Sequence, residues 1–69
     1  MTKGFLKIIE YGNIEYIFCY YGGVLTYTCI DSFGYVESQE CSFCFMDDTF
    51  IHACEMVGKD KVKVTYSKL

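Results

Sequence analysis

The chain of 69 residues has no proline, no tryptophan and no arginine. It also has no tract rich in glycine or serine, so its composition is not that of a linker or a low-complexity segment. Its length excludes architectures of enzyme size such as a doubly wound dinucleotide-binding sheet or an eight-stranded α/β barrel. No apolar run approaches the ~20 residues that a membrane-spanning helix needs. The sequence therefore predicts one small domain over residues 1–69, without a membrane partner.

Basic residues are missing from the middle of the chain. Between Ile8 and Gly58 there is no lysine, whereas the same stretch has eight acidic residues and a charge of −8. The two ends hold six lysines and Asp60, which together give +5. Nucleic-acid-binding domains normally have a basic face with arginines, so this distribution argues against direct binding of nucleic acid. It predicts an acidic surface that attracts a basic partner, or acids that only keep an apolar chain in solution.

Five cysteines are present, an odd number that cannot pair completely within one chain. The N-terminal segment does not resemble a secretory signal, because Lys3 and Lys7 interrupt its apolar residues. Both observations favour reduced thiols and a cytoplasmic location.

The first half of the chain alternates with a period of two and is rich in Ile, Val, Tyr, Phe and Thr. This pattern predicts strands at 5–11, 14–21 and 24–30. They are separated by Gly12-Asn13 and Gly22-Gly23, residues that two-residue hairpin turns prefer because they accept a positive φ. The front half is therefore predicted to be a three-stranded meander.

These turns also determine the predicted register, in which Glu10 lies opposite Glu15 and Phe18 lies opposite Tyr27. One face of the sheet is then apolar and largely aromatic: Phe5, Ile9, Tyr11, Ile14, Tyr16, Phe18, Tyr20, Leu25 and Tyr27. The other face is apolar too: Leu6, Ile8, Ile17, Cys19, Val24 and Ile30. Antiparallel sheets usually have one polar face, so we expect either the rest of the chain or a second molecule to cover one of these faces. A homodimer is one such arrangement.

The second half allows two interpretations. Residues 36–45 alternate as an extended strand, and residues 49–57 fit either a helix or a strand. A helix would begin after Asp48 and end at Gly58. Its apolar stripe would be Phe50, Ala53, Cys54 and Val57. A strand would pair with 36–45 across the Asp47-Asp48 turn, and its cleaner separation of apolar and polar residues favours this second interpretation.

We therefore predict an all-β fold, a small antiparallel meander of five to six strands that can curl into a partial barrel. The strand hairpin of the second half places Glu40 opposite Glu55, and Cys41 opposite Cys54. The last strand alternates Val62, Val64 and Tyr66 with lysines, which are suited to protect a sheet edge. The alternative is an α+β fold with one helix at about residues 48–57 packed on the sheet.

One pattern has the residue types of a zinc site: Cys41, Cys44, His52 and Cys54. On a strand, however, residues three apart point to opposite faces, so Cys44 would leave the other three. We therefore expect free cysteines that act as small core residues, with no metal and no cofactor. A structural or adaptor module held together by zinc at these four residues is the alternative function. His52 with a cysteine lacks an oxyanion site, so we do not predict an enzyme.

Seven tyrosines exceed what so small a core can bury, and tyrosine is favoured at protein interfaces. The predicted like-charge pair of Glu10 and Glu15 costs stability, and a lysine or arginine of a partner would relieve its repulsion. The predicted partner-binding residues are Glu10, Tyr11, Glu15, Tyr16, Tyr20, Glu40, Asp47, Asp48 and Glu55.

In size and charge, over the whole chain, the sequence is similar to the small inhibitors that phages encode against host defences, the anti-CRISPR proteins among them. This resemblance implies a small viral protein whose acids mimic the phosphates of nucleic acid or fill a basic groove. The predicted function is therefore that of an acidic, intracellular protein-binding inhibitor. It would occupy a basic site, such as a nucleic-acid-binding one, on a larger protein or nucleoprotein complex.

Overall fold

The structure is a computed structural model that describes residues 3–69. Its elements in chain order are β1 (Phe5–Tyr11), β2 (Ile14–Tyr21), β3 (Val24–Ile30), β4 (Val36–Glu40), α1 (Phe43–Val57), a 3₁₀-helix (Lys59–Lys61) and β5 (Lys63–Lys68). The five strands of the described chain form one antiparallel sheet in the order β4-β3-β2-β1-β5. Because β4 and β5 are both edges, the sheet is open, and the expected curl into a partial barrel is absent from residues 3–69.

The front meander agrees with the prediction in its strand bounds and in its register. Gly12 and Gly22 have positive φ values of 56° and 61°, the backbone region that tight hairpin turns require. Phe18 lies opposite Tyr27, and Tyr11 lies opposite Ile14. The sequence signals for these hairpins are local, which is why they could be interpreted without knowledge of the rest of the chain.

Helix α1 covers one face of the sheet and completes the core. The buried apolar residues of the sheet are Ile9, Tyr11, Phe18, Leu25 and Tyr27, and those of the helix are Met46 and Ala53. Partly buried residues of the same sheet face surround them: Phe5, Ile14, Tyr16, Tyr20 and Cys29. The predicted aromatic face is therefore the one that the rest of the chain covers.

The second apolar face, which we call the open face, is not covered within residues 3–69. It consists of Leu6, Ile8, Ile17, Cys19, Val24 and Ile30, and each of them is partly or fully exposed. Ile8 lies opposite Ile17 at its centre, flanked by Thr28 and Thr65 on the neighbouring strands. The middle of the sheet thus presents aliphatic side chains between hydroxyl-bearing ones.

The strand prediction for residues 49–57 is wrong, because these residues belong to α1. The α+β alternative describes the fold as well as the all-β class does, but its helix bounds were too short. The helix begins at Phe43, and its N-cap is Ser42, whose Oγ accepts a hydrogen bond of 3.1 Å from the backbone N–H of Phe45. Asp48 is therefore an interior helix residue and not the N-cap.

The end of the helix was predicted correctly. Gly58 has φ 92° and donates its backbone N–H to the carbonyl oxygen of Cys54 at 2.9 Å. Helical spacing buries Met46, Thr49 and Ala53 on one side of α1. A strand hairpin would have added strands to the edge of the sheet and left its aromatic face in water. Burial of that face therefore favours the helix.

Candidate interaction surface

A cavity of about 190 Å³ opens between α1 and one end of strands β1 and β2. We call it the acidic cavity. Its lining residues are Tyr11, Tyr16, Phe45, Asp48, Thr49 and His52. Three of the predicted partner-binding residues, Tyr11, Tyr16 and Asp48, are thus brought together, although Asp48 was expected in the turn of a strand hairpin.

The walls of the acidic cavity are mainly aromatic. The ring of Tyr16 lies 6.4 Å from that of Phe45 with an angle of 61° between the planes. The ring of Tyr11 lies 6.3 Å from the imidazole of His52, in an edge-to-face arrangement at 83°. The sheet and the helix therefore each contribute rings, and α1 holds them at the spacing of one helical face.

The tyrosine hydroxyls of this cavity are neutral at physiological pH. Burial raises the pKa of Tyr16 far above its ordinary value, and the neighbouring Cys29 adds to this effect. Burial also raises the pKa of Tyr11. Among the lining residues Asp48 is the one carboxylate, so the cavity combines aromatic rings and neutral hydroxyls with a single negative charge.

The sheet separates the predicted glutamates from the predicted tyrosines. Glu10 and Glu15 are direct partners in the β1–β2 ladder, as expected. Their side chains lie on the open face, however, because residues that alternate along a strand point to opposite sides. Tyr11 and Tyr16 lie on the covered face. At this end of the sheet, the predicted acidic residues and the predicted tyrosines therefore lie on opposite faces and do not form one surface.

The remaining predicted residues lie elsewhere. Tyr20 stacks on Phe5 at the far end of the covered face. Glu40 ends β4 opposite Thr26, whereas Glu55 is on α1, so the predicted Glu40–Glu55 pair is wrong. The pairing of Cys41 with Cys54 across a hairpin is wrong for the same reason. Asp47 is exposed on α1 beside the acidic cavity but does not line it.

Within residues 3–69, no group of three or more His, Cys, Asp or Glu side chains is placed to hold a metal ion. The four residues of the alternative zinc site, Cys41, Cys44, His52 and Cys54, are therefore not gathered into one ligand set. All five cysteines are free, with Cys44 exposed and the other four partly buried. The zinc module stays a prediction that metal analysis of the protein can check.

The sequence interpretation missed Phe45, Thr49 and His52 as members of the cavity. Their signal was their spacing: positions 45, 48, 49 and 52 lie on one face of a helix, whereas strand alternation separates them. They become visible as a group once the segment is recognised as a helix that begins at Ser42.

No protein family, no curated protein and no solved structure matches the chain. In the part of the chain that the structure describes, no helix is both long enough and apolar enough to cross a membrane. Function is therefore inferred from the cavities, faces and charges of the molecule.

Proposed function

We propose that this chain is a binding protein without catalytic activity, which receives a cationic side chain of a larger protein partner in the acidic cavity. The observation that carries the proposal is the lining of that cavity, to which Tyr11, Tyr16 and Phe45 contribute rings and Asp48 contributes a carboxylate. Aromatic faces and a carboxylate are the two environments that attract ammonium and guanidinium groups most strongly.

Arginine is the side chain that suits this lining best. Its planar guanidinium can stack on a tyrosine ring while it donates hydrogen bonds to a carboxylate. A cation over an aromatic ring contributes roughly 0.5–2 kcal/mol, depending on how far it is removed from water. The volume of about 190 Å³ lies below the roughly 300–1,000 Å³ of pockets for drug-sized ligands, so the cavity suits one side chain better than a whole substrate.

The charge of the chain supports a basic partner. The stretch without lysine includes the acidic cavity and the glutamate pair of β1 and β2, and the whole chain has a net charge of −3. Acidic surfaces accelerate association with basic sites and disfavour acidic competitors. We therefore propose an inhibitor that occupies a basic site, such as a nucleic-acid-binding groove, in the manner of the phage-encoded inhibitors that the chain resembles in size and charge.

The test is an NMR titration with N-acetyl-arginine methylamide. The citrulline analogue, which is similar in shape but uncharged, is the control probe. We expect the arginine probe to shift resonances of Tyr11, Tyr16 and His52, and the citrulline probe to leave them nearly unchanged. Asp48→Asn should abolish the effect. Asp47→Asn is the matched control, because it removes the adjacent exposed carboxylate without altering the lining. Equal losses in the two variants, or equal shifts by both probes, would overturn the proposal.

A further inference from the structure

A second cavity, of about 430 Å³, lies at the opposite end of the covered face, where β1 and β5 meet. We call it the basic corner. Its lining residues are Lys3, Gly4, Phe5, Tyr20, Tyr66, Lys68 and Leu69. These side chains include two lysines and three aromatic rings but no aspartate or glutamate. The side chains of the basic corner therefore have a charge opposite in sign to that of the acidic cavity.

Three aromatic rings form a row across the basic corner. The ring of Phe5 is stacked between that of Tyr20, at 5.5 Å and 27°, and that of Tyr66, at 5.4 Å and 28°. Phe43 of α1 packs against this row, with its ring 5.3 Å from that of Tyr20 and 6.4 Å from that of Phe5. Phe43 and Tyr66 are 49% and 55% exposed, so α1 does not close the row.

The strand register places lysines beside these rings. In the β1–β5 ladder Lys68 lies opposite Phe5, and Lys7 lies opposite Tyr66. All four residues share the covered face, because they alternate with the residues of the open face. Lys3 approaches from the segment before β1. Lysines from the two ends of the sequence are thus brought to one corner by the pairing of β1 with β5.

We propose that the basic corner binds a planar aromatic ring that carries an anionic group, the chemistry of a nucleoside phosphate. Stacking of a base on an aromatic side chain contributes roughly 1–3 kcal/mol and tolerates any base. Lysine ammonium groups bind phosphate as point charges, without the forked geometry of arginine. The volume of about 430 Å³ falls within the range of small-molecule pockets.

Protection of a sheet edge explains only part of this arrangement. Lysines on edge strands prevent edge-to-edge pairing, and Lys63 and Lys68 of β5 can do this. Tyr66 lies between these two lysines in the sequence. Edge protection does not require its ring to be exposed or to stack on the ring of Phe5. The absence of arginine argues against nucleic acid at the level of sequence, whereas the fold brings lysines to partly buried rings and the exposed ring of Tyr66. The basic corner is independent of the acidic cavity, so either proposal can fail alone.

The ligand class is tested by fluorescence and NMR titrations at low salt with adenosine 5′-monophosphate, adenosine, inorganic phosphate and a short single strand of deoxyadenylate. We expect the monophosphate to shift resonances of Phe5, Tyr66 and Lys68, and to bind several-fold more tightly than adenosine or phosphate alone. Tighter binding of the single strand than of the monophosphate would identify a polymer as the source of the base. Binding of phosphate as tight as that of the monophosphate, or binding of neither nucleotide, would overturn the proposal.

Variants distinguish a specific binding site from nonspecific electrostatic attraction. Tyr66→Leu keeps an apolar side chain but removes the ring, and Lys68→Gln removes one charge; each should weaken binding at least about fivefold. Lys59→Gln removes an equal charge from the 3₁₀-helix, outside the lining, and should weaken binding by less than about twofold. Equal losses from Lys59→Gln and Lys68→Gln would overturn the proposal. Tyr20→Leu provides a second ring deletion if the Tyr66 variant fails to fold.

Discussion

Glu10 lies directly opposite Glu15 in the β1–β2 ladder, and on its other side it lies opposite Lys63 of β5. The two glutamates are therefore not equivalent. Glu10 has a lysine neighbour that offsets the like-charge repulsion, whereas the other neighbour of Glu15 is the apolar Ile30. Glu15 therefore has no cationic neighbour in the ladder.

We expect Glu15→Gln to raise the free energy of unfolding by a few tenths of a kcal/mol, because it removes the repulsion and leaves the Glu10–Lys63 pair intact. Glu10→Gln should give a smaller gain or a small loss, because it removes both interactions. Urea unfolding of each variant measures the difference. High salt should reduce it, and equal effects of the two substitutions would contradict this account.

Binding of a basic partner should depend on these acids in two different ways. With an arginine-rich peptide as probe, Glu10→Gln with Glu15→Gln should mainly lower the association rate and its salt dependence, because these carboxylates are outside the acidic cavity. Asp48→Asn should mainly raise the dissociation rate. Stopped-flow kinetics at several salt concentrations distinguish the two. A double glutamate variant with wild-type rates at low salt would argue that these acids serve solubility alone.

Stability should fall in alkaline solution because Tyr27 keeps its proton in the folded state. Its Oη donates a hydrogen bond of 2.6 Å to Oε2 of Glu37 and accepts one of 2.9 Å from Gln39. The bond to Glu37, followed by burial, raises the pKa of Tyr27. The unfolded chain loses this proton at about pH 10, so the stabilisation is complete below that pH and is lost as the pH rises further.

Tyr27→Phe should therefore lower stability by about 1 kcal/mol at neutral pH and make the alkaline decline less steep. The decline should not vanish, because the pKa of Tyr11 is raised as well. Urea unfolding at neutral and alkaline pH gives both quantities. An unchanged slope in the variant would show that Tyr27 does not contribute to the alkaline loss.

The thiols should react in the order of their exposure. Cys44 is exposed, whereas burial raises the pKa of Cys41 and so lowers its thiolate fraction. In reduced, folded protein we expect one fast alkylation at Cys44, slow reaction of the partly buried Cys19, Cys29 and Cys54, and five modified cysteines after denaturation. Peptide mass spectrometry follows each site. Stoichiometric zinc in the purified protein would instead support the zinc module.

The open face should associate with a second copy. Its centre, Ile8 and Ile17 between Thr28 and Thr65, has no charge, so two copies can meet there without repulsion. Light scattering should show a dimer that Ile17→Glu converts to a monomer. Ile51→Glu is the control, because Ile51 is 54% exposed on α1, away from the sheet. A wild-type protein that stays monomeric at high concentration would refute this expectation.

The extent of α1 shows where interpretation of the sequence reached its limit. Phe43, Phe45 and Cys41 alternate as in a strand, and Phe50, Ala53 and Val57 repeat as in a helix, so the local pattern supports both structures. The segment is a helix because the aromatic face of the meander needs a cover, which is a property of the other half of the chain. The same dependence explains why Met46 and Thr49 were not expected in the core.

The sequence alone determined the front meander, because Gly12-Asn13 and Gly22-Gly23 confine the turns and the period of two then assigns every side chain to a face. Only the tertiary structure decided which face is covered and which residues meet across elements. Asp48 and Tyr11 line one cavity because α1 folds back over β1, and Lys68 lies opposite Phe5 because β5 pairs with β1. Such contacts depend on the free energy gained when a whole face of the sheet is buried. That free energy depends on residues far apart in the sequence, so no short segment predicts it.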